Sequence, residues 1–272
     1  MSAAFDHLRR LLAKTSGLTL EADQLYFAQT RLAALARQEG VVDLDRLVAR
    51  LEARPDCTLE RAIVEAMSTH ETYFFRDRAV FETFRVFTLP RLMAARAQEK
   101  RLRIWCAACS TGQEPFTLAM MLDEHARSLE GWRIEILATD FSREMIASAQ
   151  AGLFSAFEVQ RGLPISYLLR YFAQVDERTW RIRDRIQRRV RFMEHNLLDD
   201  MAALGRFDLI FCRNVLIYFD VATKRSVLAR LAPTLAADGA LVLGSAETVI
   251  GLCPEFEAHT APTGFFIKRK RD

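Results

Sequence analysis

The chain has 272 residues, half of them hydrophobic and 27% charged, with a formal net charge of +3. That composition excludes a disordered chain, and the length passes the roughly 250 residues at which single cores stop growing, so two domains are expected. No stretch approaches the roughly 18 uncharged apolar residues of a membrane span, and the N-terminus lacks an apolar signal region, which predicts a cytoplasmic protein without membrane insertion.

Residues 1–70 read as an all-α domain. Phe5, Leu8 and Leu12 keep helical spacing, as do Leu25, Leu32 and Leu35 within Glu21–Glu39, and Gly40 stands where a helix-ending glycine belongs. Asp43–Ala53 and Thr58–Ser68 give two more helices separated by Pro55. Residues 71–102 read as a linker and a leading helix, Ala79–Ala97. From residue 103 to 272 short apolar runs alternate with helices, the pattern of a Rossmann-like α/β domain with a parallel sheet. The runs are Arg103–Ala107, Ile134–Ala138, Val190–Met193, Phe207–Cys212, Ala240–Gly244 and Gly264–Lys268, and the helices Glu114–Glu130, Arg143–Ala151 and Val221–Ala236. Between about 153 and 189 the rhythm fails, and the period-two alternation of Thr179–Ile186 predicts a small antiparallel β insertion.

Charge is uneven. Residues 1–70 hold nine Lys/Arg against ten Asp/Glu, so the positive excess lies beyond them, most visibly between Arg178 and Arg191. This stretch allows a solvated strand face, a nucleic-acid groove or a protein-docking surface. Aromatic interleaving is limited to Trp180 and the domain is not strongly basic, which disfavours nucleic acid.

The turn Ala107-Ala108-Cys109-Ser110-Thr111-Gly112 follows the first apolar run and leads into a helix near Glu114, so backbone N–H groups and small side chains face any ligand at the strand end. Its single glycine matches neither a dinucleotide fingerprint nor a P-loop. Phosphate is disfavoured, whereas a nucleoside joined to an amino acid, as in S-adenosylmethionine, needs only close approach and a few polar groups. Cys106 and Cys109 form a C-x-x-C, but Cys57, Cys212 and Cys253 supply no second pair, so two small side chains lining a tight loop is preferred over a redox or metal site.

Asp140, at the end of the second run, suits the hydroxyls of an adenine-linked ribose, or else caps the helix opening at Ser142. Asn196 allows a bond to an adenine edge or marks a strand end. Glu114 favours a helix dipole or holds an amino group. Arg213, Asn214 and Tyr218 follow the fourth run, where substrates of open sheets bind.

Thr72-Tyr73-Phe74-Phe75-Arg76, the run from Ala107 to Pro115, Ala138-Thr139-Asp140 and Phe211–Phe219 resemble, in order and spacing, the chemotaxis receptor methyltransferases, the CheR family. The resemblance spans nearly the whole chain. It implies methyl transfer from S-adenosylmethionine to glutamate side chains on the cytoplasmic helices of chemoreceptors, giving methyl esters and S-adenosylhomocysteine. It further implies a cofactor site of His70, Thr72, Arg76, Ala108, Glu114, Asp140, Asn196, Leu197, Cys212, Arg213 and Asn214, with Arg76 and Tyr218 nearest the transferring methyl. Three departures stand out: Gln113 where the family commonly has Glu, His70 where it has Asn, and Gly244-Ser245-Ala246-Glu247 where it reads G-H-S-E. In some members the insertion clamps a short peptide at the receptor C-terminus through a glycine-containing loop. Here the turn Ala173–Arg178 has no glycine and is short, so independence of that peptide is expected. The competing readings are a methyltransferase acting on a small molecule or RNA, and a non-catalytic cofactor-binding regulator.

Overall fold

A computed structural model describes residues 3–259 and 264–269. Contacts divide the chain into two units, Met1–Thr69 with Tyr218–Lys224, and His70–Ile217 with Arg225–Asp272. The segment 71–102 thus belongs to the second unit, and a short piece from deep in the sequence belongs to the first.

The first unit contains α1 (Ala3–Ser16), α2 (Leu25–Gln38), α3 (Leu44–Ala53) and α4 (Cys57–Met67). Asp43 and Asp56 sit just before α3 and α4 and accept backbone N–H bonds from their first turns, which is why both helices start there. At the end of α2, Val41 N bonds Ala36 O and Gly40 N bonds Arg37 O, the paired bonds of a Schellman turn, with Gly40 at φ +69°. The buried face of α2 is Ala28, Leu32 and Ala36, not Leu25, Leu32 and Leu35: the four-residue step selects the small side chains. Leu18 pairs with Phe219 in an antiparallel bridge, and Thr19 N bonds Tyr218 O at 2.9 Å.

The second unit opens with α5 (Arg78–Thr83), a π-helical turn at Phe84–Thr88, and α6 (Leu89–Ala95). A single helix over Ala79–Ala97 is interrupted because Pro90 donates no N–H to Val86 and its ring crowds that carbonyl, which widens the preceding turn. There follow β1 (Arg101–Ala107), α7 (Gln113–Glu124), β2 (Arg133–Asp140), α8 (Arg143–Ala151), and an insertion of β3 (Leu153–Ser155), α9 (Ala156–Gln160), α10 (Ile165–Tyr171), β4 (Phe172–Gln174), β5 (Thr179–Ile182) and α11 (Asp184–Gln187). The chain resumes with β6 (Val190–Glu194), β7 (Phe207–Cys212), α12 (Val221–Thr234), β8 (Leu235–Val242), β9 (Phe256–Ala258) and β10 (Phe265–Lys268).

The main sheet runs β6-β2-β1-β7-β8-β10-β9, with parallel pairing among the first five strands and β10 antiparallel to both of its neighbours, β8 and β9. The insertion forms a separate antiparallel sheet, β3-β5-β4. Its central strand ends at Ile182, earlier than the alternation to Ile186 suggests, because Asp184 begins a helical turn that buries Ile186 one turn after Ile182. Strand β9 has no counterpart among the predicted runs: three residues carry too little pattern to read. Among the described residues no helix is long and apolar enough to cross a membrane.

Candidate functional site

β1 lies between β2 and β7: the connection after β1 leads to β2 on one side, and the connection after β6 crosses to β7 on the other, which opens a crevice at the carboxyl ends of these strands. Ala107 is paired with both Thr139 and Cys212, so the three strands end level and their following residues emerge together.

The loop after β1 is tied down at each step. Cys109 N bonds Thr139 O at 2.9 Å, Ser110 N bonds Asp140 Oδ2 at 2.8 Å, and Ser110 Oγ bonds His70 O at 2.7 Å. Ala108 and Ser110 both stand in the left-handed region, at φ +58° and +50°, so the loop obtains from an alanine and a serine the reversals that glycine usually provides. Asp140 is 4% exposed, and burial pushes its carboxyl above the ordinary value despite bonds from Ser110 N and Ser142 N. The cap of α8 is Ser142, whose hydroxyl accepts Met145 N. Asp140 therefore anchors the loop, and a carboxylate with roughly four acceptor positions retains capacity beyond those two bonds. His70 enters through its carbonyl; its ring lies 5.9 Å from that of Phe141.

Arg213 is the central cation. Its side chain is 1% exposed; Nη1 donates to Glu114 at 2.8 Å, and Nη2 donates to Asp77 Oδ2 at 2.6 Å and to Arg76 O at 2.9 Å. The guanidinium stands 5.6 Å over the Phe81 ring, and its Nε is buried without an acceptor. Glu114 is pushed above the ordinary carboxylate range by burial, opposed by Arg213. Thr117 accepts Phe75 N at 3.3 Å and so holds the segment preceding Arg76 against α7. Thr72, in that segment, is half-buried. The Arg76 side chain forms no ion pair among the described residues; Nη1 donates to Glu71 O at 2.8 Å and the guanidinium faces the Tyr73 ring.

Asn196 follows β6; its Oδ1 accepts Leu198 N at 3.0 Å. Leu197 is buried, with its carbonyl bonded by Arg230. Cys106, Cys109 and Cys212 are buried free thiols, each pushed well above the ordinary value by burial. Asn214, at φ +58°, begins a loop held by one carboxylate that sequence reasoning missed. Glu247 accepts N–H bonds from Asn214 and Gly244 on Oε2 and from Val215, Leu216 and Ile217 on Oε1, at 2.7 to 3.3 Å. Tyr218 lies next along the chain in the turn Leu216–Tyr218, but its contacts place it in the first unit.

Six described residues other than glycine have positive φ, and five of them, Phe75, Asp77, Ala108, Ser110 and Asn214, fall in these loops. Each such conformation costs about 1–3 kcal/mol and persists where surrounding bonds enforce it, as at ligand sites. The donor set fits S-adenosylmethionine: acceptor capacity at Asp140, a buried carboxylate at Glu114, a buried Arg213 Nε without a partner, and small residues at 107–109.

Residues 70–265 match the family described as CheR methyltransferase, SAM binding domain. The chain is 39% identical to chemotaxis protein methyltransferase 1 of Pseudomonas aeruginosa, across 99% of this chain and 100% of that one. It is 37% identical to chemotaxis protein methyltransferase Cher2 of Pseudomonas putida, across 98% of each, and 32% identical to the chemotaxis protein methyltransferase of Salmonella typhimurium, across 93% of this chain and 86% of that one. A strained, carboxylate-lined crevice at the switch point of a Rossmann-like sheet and relatives matched from end to end lead to one assignment: the chain belongs to the CheR family of S-adenosylmethionine-dependent methyltransferases.

Proposed function

We propose that the protein methylates glutamate side chains on the cytoplasmic helices of chemoreceptors, producing glutamate methyl esters and S-adenosylhomocysteine. The observation that carries this reading is Arg76: its backbone is fixed by Arg213, its guanidinium has no carboxylate partner among the described residues, and it lies in the segment that Thr117 holds against α7. Such a cation suits an incoming carboxylate or the cofactor's own.

When bound, S-adenosylmethionine supplies an electrophilic methyl on a positively charged sulfur. A glutamate with its ordinary pKa of about 4.3 is ionised at neutral pH, so the site needs no general base. Its work is to align carboxylate oxygen, methyl carbon and sulfur and to exclude water, since attack neutralises charge. One O–C bond forms as one C–S bond breaks, and no proton moves. In this reading Asp140 holds the ribose hydroxyls, Glu114 the amino group, and Asn196 and Leu197 border the adenine. His70, Thr72, Ala108, Cys212, Arg213 and Asn214 complete the cradle, and Arg76 borders the methyl channel.

The turn joining β4 and β5 is Val175–Arg178, closed by Val175 N to Thr179 O at 2.9 Å and by Asp176 accepting Arg178 N at 2.8 Å. So tight a turn supports a receptor interaction without a tethering C-terminal peptide; tight binding of such a peptide in calorimetry would contradict it. The activity is tested by incubating the protein with methyl-labelled cofactor and receptor fragments. Label transferred to the receptor and released by mild base, as an ester is, supports the proposal. Base-stable label, or label on RNA or a small molecule instead, refutes it.

A further inference from the structure

Residues 71–76 are gripped from the insertion as well as from α7. Phe74 packs edge-on against Phe154 and Phe172, with ring centroids 5.0 and 5.5 Å away, and Phe75 against Tyr167 at 4.9 Å. Beside them α9 ends at Arg161, whose N–H bonds the carbonyls of Phe157 and Glu158, and the chain passes Gly162 at φ +83°. A Cβ on Gly162 would stand 2.1 Å from Phe74 O, so only glycine permits this approach. Backbone constraints on both sides therefore aim the Arg161 side chain.

The Arg161 guanidinium pairs with the Glu71 carboxylate and lies 4.5 Å over the Tyr73 ring. Arg76 uses the same two residues: Nη1 donates to Glu71 O at 2.8 Å, and its guanidinium lies 5.8 Å from the same ring centroid. Arg161 holds the Glu71 carboxyl below its ordinary value, and the field of Arg76 adds to the effect.

We infer that Arg161 is a positioning residue for Arg76, holding it through Glu71 and Tyr73 in the orientation that meets the cofactor, and that it thereby ties the insertion to the methyl-transfer site. A purely stabilising role is the weaker account: the Arg161 and Glu71 side chains are 38% and 57% exposed, and exposed ion pairs contribute little to stability. The inference rests on Arg76 standing beside the cofactor and is independent of which substrate is methylated.

The test is binding of S-adenosylhomocysteine to the full chain, by calorimetry and without receptor, for Arg76→Ala, Arg161→Ala, the double variant and Arg161→Lys. Each alanine variant is expected to weaken binding about tenfold and the double variant no more than about twofold beyond Arg76→Ala, because residues that act through one another are not additive. Arg161→Lys, which keeps the charge on Glu71, should fall between Arg161→Ala and the native protein, and the thermal midpoint of Arg161→Ala should stay within a few degrees of native. Additive losses, native affinity in either single alanine variant, or Arg161→Lys no better than Arg161→Ala would overturn the inference. Because no receptor is present, such a failure is distinct from failure of the glutamate assignment.

Discussion

The Glu114 carboxylate and the Arg213 guanidinium meet at 2.8 Å, with 13% of the glutamate side chain exposed and 1% of the arginine. Arg213 also binds Asp77 and the Arg76 carbonyl, so one buried cation joins the first turn of α7, the segment leading into α5 and the loop after β7. Arg213→Met leaves Glu114 and Asp77 without that cation, a loss expected to cost about 3 kcal/mol or more, since breaking a buried pair strands a charge. Adding Glu114→Gln should recover part of it. Urea unfolding of the single and double variants measures both, and strict additivity would argue against the pairing.

Glu114 gives the site a pH dependence whose sign is fixed by burial. Its pKa in the folded protein is raised, so the native state keeps a proton that the unfolded chain loses above about pH 4.3. That contribution to stability is fully present below the ordinary value and fades as pH rises through the raised one. A cofactor ammonium beside Glu114 would favour the carboxylate, so binding should release a proton in this window, and affinity should fall as pH drops through it by at most about tenfold per pH unit. Calorimetry in buffers of differing ionisation enthalpy reads the proton directly. Buffer-independent heats across the acid range would count against Glu114 as the partner.

Glu247→Gln exchanges one acceptor oxygen for an N–H₂ group that faces N–H donors. Five backbone N–H groups rely on this carboxylate, so a destabilisation of about 2–3 kcal/mol is expected. The local signature is faster amide exchange at Asn214, Val215, Leu216 and Ile217. Unchanged protection there would show that the loop holds itself.

Two glycines provide an internal contrast. Both Gly162 and Gly40 have positive φ, but a Cβ would strike the Phe74 carbonyl at 2.1 Å in the first case and meet nothing within 4 Å in the second. Gly162→Ala is expected to cost about 2–4 kcal/mol and Gly40→Ala about 1 kcal/mol. Thermal midpoints that rank the two in the opposite order would contradict the packing of the insertion against Phe74.

Gln113 is 1% exposed and donates to Glu158 at 3.3 Å, while Glu158 also completes the capping box of α9 with Ser155. The amide at 113 thus accommodates a carboxylate on the insertion. Gln113→Glu should destabilise the protein at neutral pH by about 1–3 kcal/mol, with recovery as pH falls and one carboxyl takes a proton, and Glu158→Gln should rescue it. Neutral stability equal to native would rule out the repulsion.

The parallel strands were legible as apolar runs alternating with helices, and the crevice was expected at their carboxyl ends as in open sheets generally, whereas the sheet order and the antiparallel setting of Phe265–Lys268 were not. Asp140 and Arg213 stand out in the sequence as candidates at strand ends, yet their contacts do not: Asp140 binds Ser110 in the loop after β1, 30 positions earlier, and Arg213 reaches Arg76 across 137 positions. Backbone strain at Ala108 and Ser110 left no trace in the sequence, since neither residue type favours positive φ. The role of Glu247 was not legible because its bonds go to backbone N–H groups 30 to 33 positions earlier, and only Gly244 is local. Such donors carry no residue code.

The antiparallel bridge of Leu18 with Phe219 and the bond from Thr19 N to Tyr218 O make the helical unit discontinuous. Its second piece leaves the ribosome only after the crevice-forming strands β1, β2, β6 and β7 have been made. During synthesis the N-terminal helices can collapse early, but the unit as it stands here cannot close until most of the chain exists. Tyr218 is therefore delivered late, at the same moment that the first unit gains its last piece.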